Sequence, residues 1–272
     1  MKELAGRKLI LILGIPFGIG CYLIGNPIFA VVTTIVMLGG LDEFYTICEK
    51  KGGHPNRIFG FIITLLIAVS YSGIYAHHQI TIMGIICLSV ISVFFIEIIN
   101  KKEEPLLNIS TTFLGILFVP CLLGTIIYLR QMDHIYNSNV VLALFLSVWF
   151  ADIAAFFFGT KWGKKKIVPM ISPKKSWVGS ISGFLASLLV FILFHELGFL
   201  GIRYNLLDSV TFGVISGIFS QLGDFSESLL KRDVGVKDSG NLLRGHGGIL
   251  DRFDSLLFSS SMIYIHFLIF ID

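Results

Sequence analysis

Residues 228 to 254 read SLLKRDVGVKDSGNLLRGHGGILDRFD. Nine of the 24 residues from Lys231 to Asp254 are charged, against 14% in the whole chain, and apolar runs flank the segment on both sides. A chain so rich in apolar runs keeps such an island where it meets water, a substrate or a metal. The residue types suit phosphates and a divalent cation. Lys231, Arg232, Lys237 and Arg252 can neutralise phosphate charge, and Asp224, Asp238, Asp251 and Asp254 offer hard oxygen donors. Gly247 and Gly248, beside His246, let backbone approach a ligand closely. Asp224 is expected to end one apolar span. Asp251 and Asp254, three apart, are expected to open the next and to share a helix face. A lone His246 does not by itself identify a catalytic base.

A second cluster lies upstream. Asp152 sits inside an apolar run, where a carboxylate is costly and faces a cavity or a partner. It is followed by Gly159-Thr-Lys-Trp-Gly-Lys-Lys-Lys and by Ile171-Ser-Pro-Lys-Lys-Ser-Trp-Val-Gly179. Ser172-Pro173 begins a turn, which places Lys174 and Lys175 near a helix N-terminus, where backbone N–H groups, the helix dipole and two ammonium groups favour a phosphate. Lys164 to Lys166 read as an anchor for anionic lipid head groups.

The elements that position these clusters are membrane helices. The chain of 272 residues is 54% hydrophobic, with a mean hydropathy of +0.83. Soluble domains carry roughly 25% charged residues, so the composition points to an all-α, polytopic integral membrane protein. A bilayer core needs about 20 apolar helical residues. Nine spans are expected, near 9–25, 27–47, 58–75, 79–98, 111–129, 139–158, 179–198, 208–223 and 255–271. The eighth is short and glycine-bearing. With the N-terminus in the cytoplasm, only Arg130 and Arg203 of the 21 basic residues fall outside, a strong positive-inside bias. Both clusters then open on the cytoplasmic face. We expect residues 1–110 to supply N-terminal helices and 111–272 the catalytic loops, within one integrated membrane domain. The four cysteines read as buried thiols, with no disulfide. Asp42, Glu43 and Glu97 are either interfacial caps or part of the same cavity; both readings stay open. No nucleic-acid partner is expected, and oligomeric state stays open.

The island resembles the C-terminal signature of the phosphatidate cytidylyltransferase (CDP-diacylglycerol synthase) family. Ser228, Lys231, Arg232, Lys237, Asp238, Gly240, His246, Gly247, Gly248, Asp251, Arg252 and Asp254 fall in register with it. The stretch Ser172 to Ser176 resembles that family's S-P-K-K-[ST] segment, and Asp152 matches an acidic residue ahead of it. The chain departs at Val178, where the family usually has Glu, and at Arg244, where it usually has Pro or another small residue. The resemblance implies a magnesium-dependent nucleotidyltransferase of phospholipid biosynthesis. Its substrates are CTP and bilayer phosphatidic acid, its products CDP-diacylglycerol and pyrophosphate, and its place the bacterial inner membrane. A second cation stays open. Asp224 and Asp251 are then expected to hold the metal. Asp152, Lys174, Lys175, Lys237, Asp238, His246 and Asp254 are expected to be catalytic, and Ser172, Lys231, Arg232, Gly247, Gly248 and Arg252 to bind substrate. The rivals are a CTP-dependent lipid kinase, which would release CDP, and an anion or lipid transporter.

Overall fold

A computed structural model describes residues 18–73, 78–100, 103–240 and 247–271. Among them every regular element is a helix, with a single isolated antiparallel bridge between Lys166 and Ser176. In chain order the helices are α1 (Asn26–Glu49), α2 (Arg57–Tyr71), α3 (His78–Asn100), α4 (Pro105–Ile116), α5 (Thr125–Tyr136), α6 (Val140–Trp162), α7 (Trp177–Glu196), α8 (Leu206–Asp233) and α9 (Leu250–Phe270). A π-helical turn at Leu117–Cys121 joins α4 to α5. It contains Pro120, whose missing N–H and bulky ring do not fit the ordinary helical ladder.

Seven stretches are long and apolar enough to cross a membrane, among them the 32-residue run Pro105–Tyr136 that includes α4 and α5. Helix α2, at 15 residues, is shorter than the expected span at 58–75. Most of the expected first span, 9–25, lies outside the described residues, though residues 18–24 are helical. Among the described residues the architecture is all-helical, and its seven long apolar stretches are those of a polytopic membrane protein.

The eighth span differs from expectation. Helix α8 runs for 28 residues, so Asp224 lies well inside it rather than at its end. The glycines of α8 are points of close approach. A Cβ at Gly213 would strike Leu188, one at Gly217 would strike Phe184, and one at Gly223 would strike the backbone of Asp254. The first turns of the polar island continue the helix, supported by a Glu227–Lys231 ion pair one turn apart at 2.7 Å. The helix stops before Gly235, whose φ of 70° is left-handed.

The chain forms two compact units. The first comprises residues 1–128 and 233–252. Its core sets Leu41, Phe44 and Tyr45 of α1 against Gly115, with Gly60 also beneath Tyr45. The buried Tyr45 hydroxyl donates to the Thr112 carbonyl at 3.0 Å. Two acids left open by the sequence find structural partners here. Asp42 pairs with Arg57 at the start of α2. Glu97 accepts from Asn108 Nδ2 at 2.6 Å, while Asn108 Oδ1 accepts from the His54 amide at 2.7 Å.

The second unit comprises residues 129–232 and 253–272. Helices α6 and α7 pack closely, because Gly159 faces the backbone of Gly179 and Gly183 faces the Ala151 carbonyl. Ser147 and Ser216 share a buried hydrogen bond of 2.6 Å between α6 and α8. Asp133 caps the start of α6, accepting from Val140 N at 2.7 Å and Val141 N at 2.9 Å.

Candidate functional site

In the second unit, the loop between α6 and α7 folds back on itself. Ile167 N donates to Lys175 O at 3.2 Å, Trp177 N to Lys165 O at 3.1 Å, and Lys166 Nζ to Lys174 O at 3.2 Å. Arg232 of α8 donates to the Ile171 carbonyl at 3.2 Å. Ser176 is the N-cap of α7, its hydroxyl accepting from Gly179 N at 3.3 Å. Lys174 and Lys175 therefore stand immediately before a helix N-terminus, as the Ser-Pro-Lys-Lys-Ser order predicts. Two charges of one sign beside that dipole favour an anion.

This loop borders a cavity of about 490 Å³. Ala151, Ala155, Phe156, Gly159, Gly179 and Gly183 form its small and apolar walls, and Asp152, Lys166, Lys174, Lys175, Gln221 and Asp224 supply its charge and polarity. Asp224 Oδ2 meets Lys175 Nζ at 2.5 Å, and that ammonium group also lies 4.2 Å from the centre of the Phe225 ring. Ser228 Oγ donates to Asp224 Oδ1 at 3.3 Å. The buried Asp254 carboxylate lies within reach of the charges of Asp224 and Glu227. Glu227 is fully buried and pairs with Lys231. Three acids, Asp224, Glu227 and Asp254, and two ammonium groups, Lys175 and Lys231, are thus set close together on α8, α9 and the loop before α7.

In the first unit, Ser239, Gly248 and Asp251 form one hydrogen-bonded group. Asp251 Oδ2 accepts from Ser239 N at 2.9 Å and from Gly248 N at 2.7 Å, with Ser239 Oγ at 3.1 Å. Glu43 accepts from Ser239 Oγ at 2.8 Å and from the amides of Ile249 and Leu250, each at 2.9 Å. Gly247 has a left-handed φ of 78°. Lys237, Asp238 and Arg252 are exposed.

The second unit thus gathers Asp152, Lys174, Lys175 and Asp224 at one cavity, with Asp254 near Asp224, Lys231 paired to Glu227, and Ser172 and Arg232 on the loop and its support. Lys237, Asp238, Gly247, Gly248, Asp251 and Arg252 belong to the first unit. His246 and Arg244 lie outside the described residues. Asp251 and Asp254, three apart, were expected to open a helix and to share a face of it. Both lie on α9; Asp251 is bonded to Ser239 and Gly248, and Asp254 lies within reach of the charges of Asp224 and Glu227. The sequence reading left Glu43 open and gave Glu227 no role. The signal for Glu227 is its spacing, three residues after Asp224 and four before Lys231 on one helix. Glu43 bonds to residues about 200 positions away, and no local spacing reveals that.

Among the described residues no group of three or more His, Cys, Asp or Glu side chains forms a ready-made metal cage. The donor chemistry still fits magnesium. That ion takes hard carboxylate oxygens, retains several waters and is commonly held by one or two carboxylates together with substrate phosphates.

The Cytidylyltransferase family matches this chain over residues 6–270. A phosphatidate cytidylyltransferase from Synechocystis is 30% identical over 278 residues, covering 93% of this chain and 92% of that protein. One from Thermotoga maritima is 30% identical over 271 residues, covering 98% and 97%. One from Staphylococcus haemolyticus is 31% identical over 260 residues, covering 95% and 97%. With family-wide similarity running from end to end and a cavity that sets lysines beside carboxylates, the chain belongs to the cytidylyltransferase family.

Proposed function

We propose that the protein converts CTP and phosphatidic acid to CDP-diacylglycerol and pyrophosphate. The observation that carries this reading is the cavity of the second unit, which pairs apolar walls with Asp152, Lys166, Lys174, Lys175 and Asp224. Such a cavity suits an amphiphile whose charged group is a phosphate. The full-length similarity to proteins named phosphatidate cytidylyltransferase supports the same reading.

In the reaction an oxygen of the phosphatidate phosphate attacks the α-phosphorus of CTP. A new P–O bond forms, the bond from the α-phosphorus to the bridging oxygen breaks, and pyrophosphate leaves with that electron pair. The attacking phosphate is already ionised near neutral pH, so no strong general base is required. Catalysis comes from positioning and from neutralising charge. Lys174 and Lys175, at the start of α7, hold phosphate oxygens. Lys231, Arg232, Lys237 and Arg252 supply further positive charge, and Ser172, Gly247 and Gly248 contribute close polar and backbone contacts. Asp152 and Asp238 orient the ammonium groups, Asp254 supports Asp224, and His246 completes the signature segment. We assign Asp224 and Asp251 to magnesium, which when bound would screen the triphosphate and polarise the α-phosphorus. The nine-span topology, with a cytoplasmic N-terminus in a bacterial inner membrane, belongs to the same proposal. It rests on the positive-inside bias and would let the reaction take place where CTP is.

The test is incubation of the purified protein with CTP labelled in its α-phosphate, magnesium and a panel of phospholipids. The label should enter a lipid only when phosphatidic acid is present, with release of pyrophosphate and loss of turnover in EDTA. Release of CDP instead would assign a lipid kinase. Lipid or anion flux without CTP consumption would assign a transporter.

A further inference from the structure

Glu43 sits in the last third of α1, only 5% exposed, in a helix that is mostly apolar. A carboxylate there is costly unless its oxygens are fully used. Both are. Oε1 accepts from Ile249 N, and Oε2 accepts from Leu250 N and Ser239 Oγ. Ile249 and Leu250 stand at the start of α9, so Glu43 caps that helix from a distant part of the chain, where a local Ser or Asp would ordinarily serve. The backbone is shaped around the carboxylate. A Cβ at either Gly240 or Gly248 would collide with Glu43. The same Ser239 and Gly248 that enclose Glu43 give their amides to Asp251 Oδ2, at 2.9 and 2.7 Å. All these residues lie in the first unit.

We propose that Glu43 is a positioning residue. Through Ser239, Gly248 and the start of α9 it fixes the direction of the Asp251 carboxylate, and so sets the affinity for the divalent cation. This deepens the functional reading above and rests on its assignment of Asp251 to the cation. Glu43 touches neither substrate nor reacting atoms. Its neutral isostere keeps the shape but replaces one acceptor oxygen with an amide donor facing backbone N–H groups, so the network cannot close.

The experiment compares wild type, Glu43→Gln and Ser239→Ala in detergent. Mn2+ binding is measured by electron paramagnetic resonance without nucleotide, and the KM values for magnesium and phosphatidic acid are measured separately. Glu43→Gln should weaken Mn2+ binding and raise the magnesium KM by about tenfold or more, with the phosphatidic acid KM within about twofold. Ser239→Ala should shift the same two quantities in the same direction, by less. A folded Glu43→Gln protein with wild-type Mn2+ affinity overturns the proposal. If Glu43→Gln does not fold, Ser239→Ala decides, and unchanged Mn2+ binding there overturns it. Wild type that binds Mn2+ without making CDP-lipid refutes the enzymatic reading while the Mn2+ comparison still judges Glu43. Wild type that binds no Mn2+ overturns the positioning role.

Discussion

Asp224 and Glu43 are both acids within long apolar helices, and they are neutralised in opposite ways. Asp224, in the second unit, is met by the Lys175 ammonium group at the border of a cavity. Glu43, in the first, is met by two backbone amides and a hydroxyl, with glycines closing around it. A side-chain counter-ion can turn toward an incoming phosphate and leave its carboxylate to a cation. Backbone amides at a helix start cannot move without unwinding that helix. The first arrangement is suited to exchange partners during a reaction, the second to hold a segment still. A carboxylate in a membrane helix is therefore not enough to mark a catalytic group; the nature of its partner separates chemistry from architecture.

Substitutions can break this contrast. The largest effect is expected for Asp224→Asn, which removes the charge at the cavity. CDP-lipid formation should fall by about 10³-fold or more, with a melting temperature in detergent close to wild type. Near-normal turnover would remove Asp224 from the site. Next is Lys175→Met. It deletes the mobile counter-ion and should raise the KM for CTP by about ten- to hundredfold, the cost of a charged hydrogen bond, as steady-state kinetics over a range of CTP concentrations would register. In the fixed region a loss of stability should accompany any kinetic effect. Gly248→Ala places a methyl group against Glu43 and the Ser239 hydroxyl and should destabilise the protein by about 1–3 kcal/mol, visible as a lower melting temperature. A Gly248→Ala protein as stable as wild type would show that the enclosure of Glu43 is loose. The smallest effect belongs to Lys51→Ala. The Lys51–Asp233 pair is 2.9 Å long but more than half exposed on both sides, and such pairs contribute about 0–1 kcal/mol. Its loss should leave turnover and melting temperature unchanged within error, giving the baseline against which the other variants are judged.

Much of this was legible in the chain. Composition and hydropathy gave the membrane helices, because span length and apolarity are local properties. Ser-Pro-Lys-Lys-Ser predicted lysines beside a helix start, because capping is decided within four residues. The polar island was visible for the same reason. Its helical beginning was not, since the apolar run stops at Asp224 and hydropathy alone does not show that α8 continues to Asp233.

The sequence by itself determined that the protein lives in a bilayer, which residues could meet phosphate, and which family it resembles. These follow from residue types and short spacings. Only the tertiary structure decided which partner each acid received. It gave Asp251 to Ser239 and Gly248, Asp254 to Asp224 and Glu227, and Glu43 to the start of the last helix. The physical reason is separation along the chain: a contact between residues 43 and 250 leaves no periodicity to read, and a buried carboxylate takes its role from the groups that the fold brings to it.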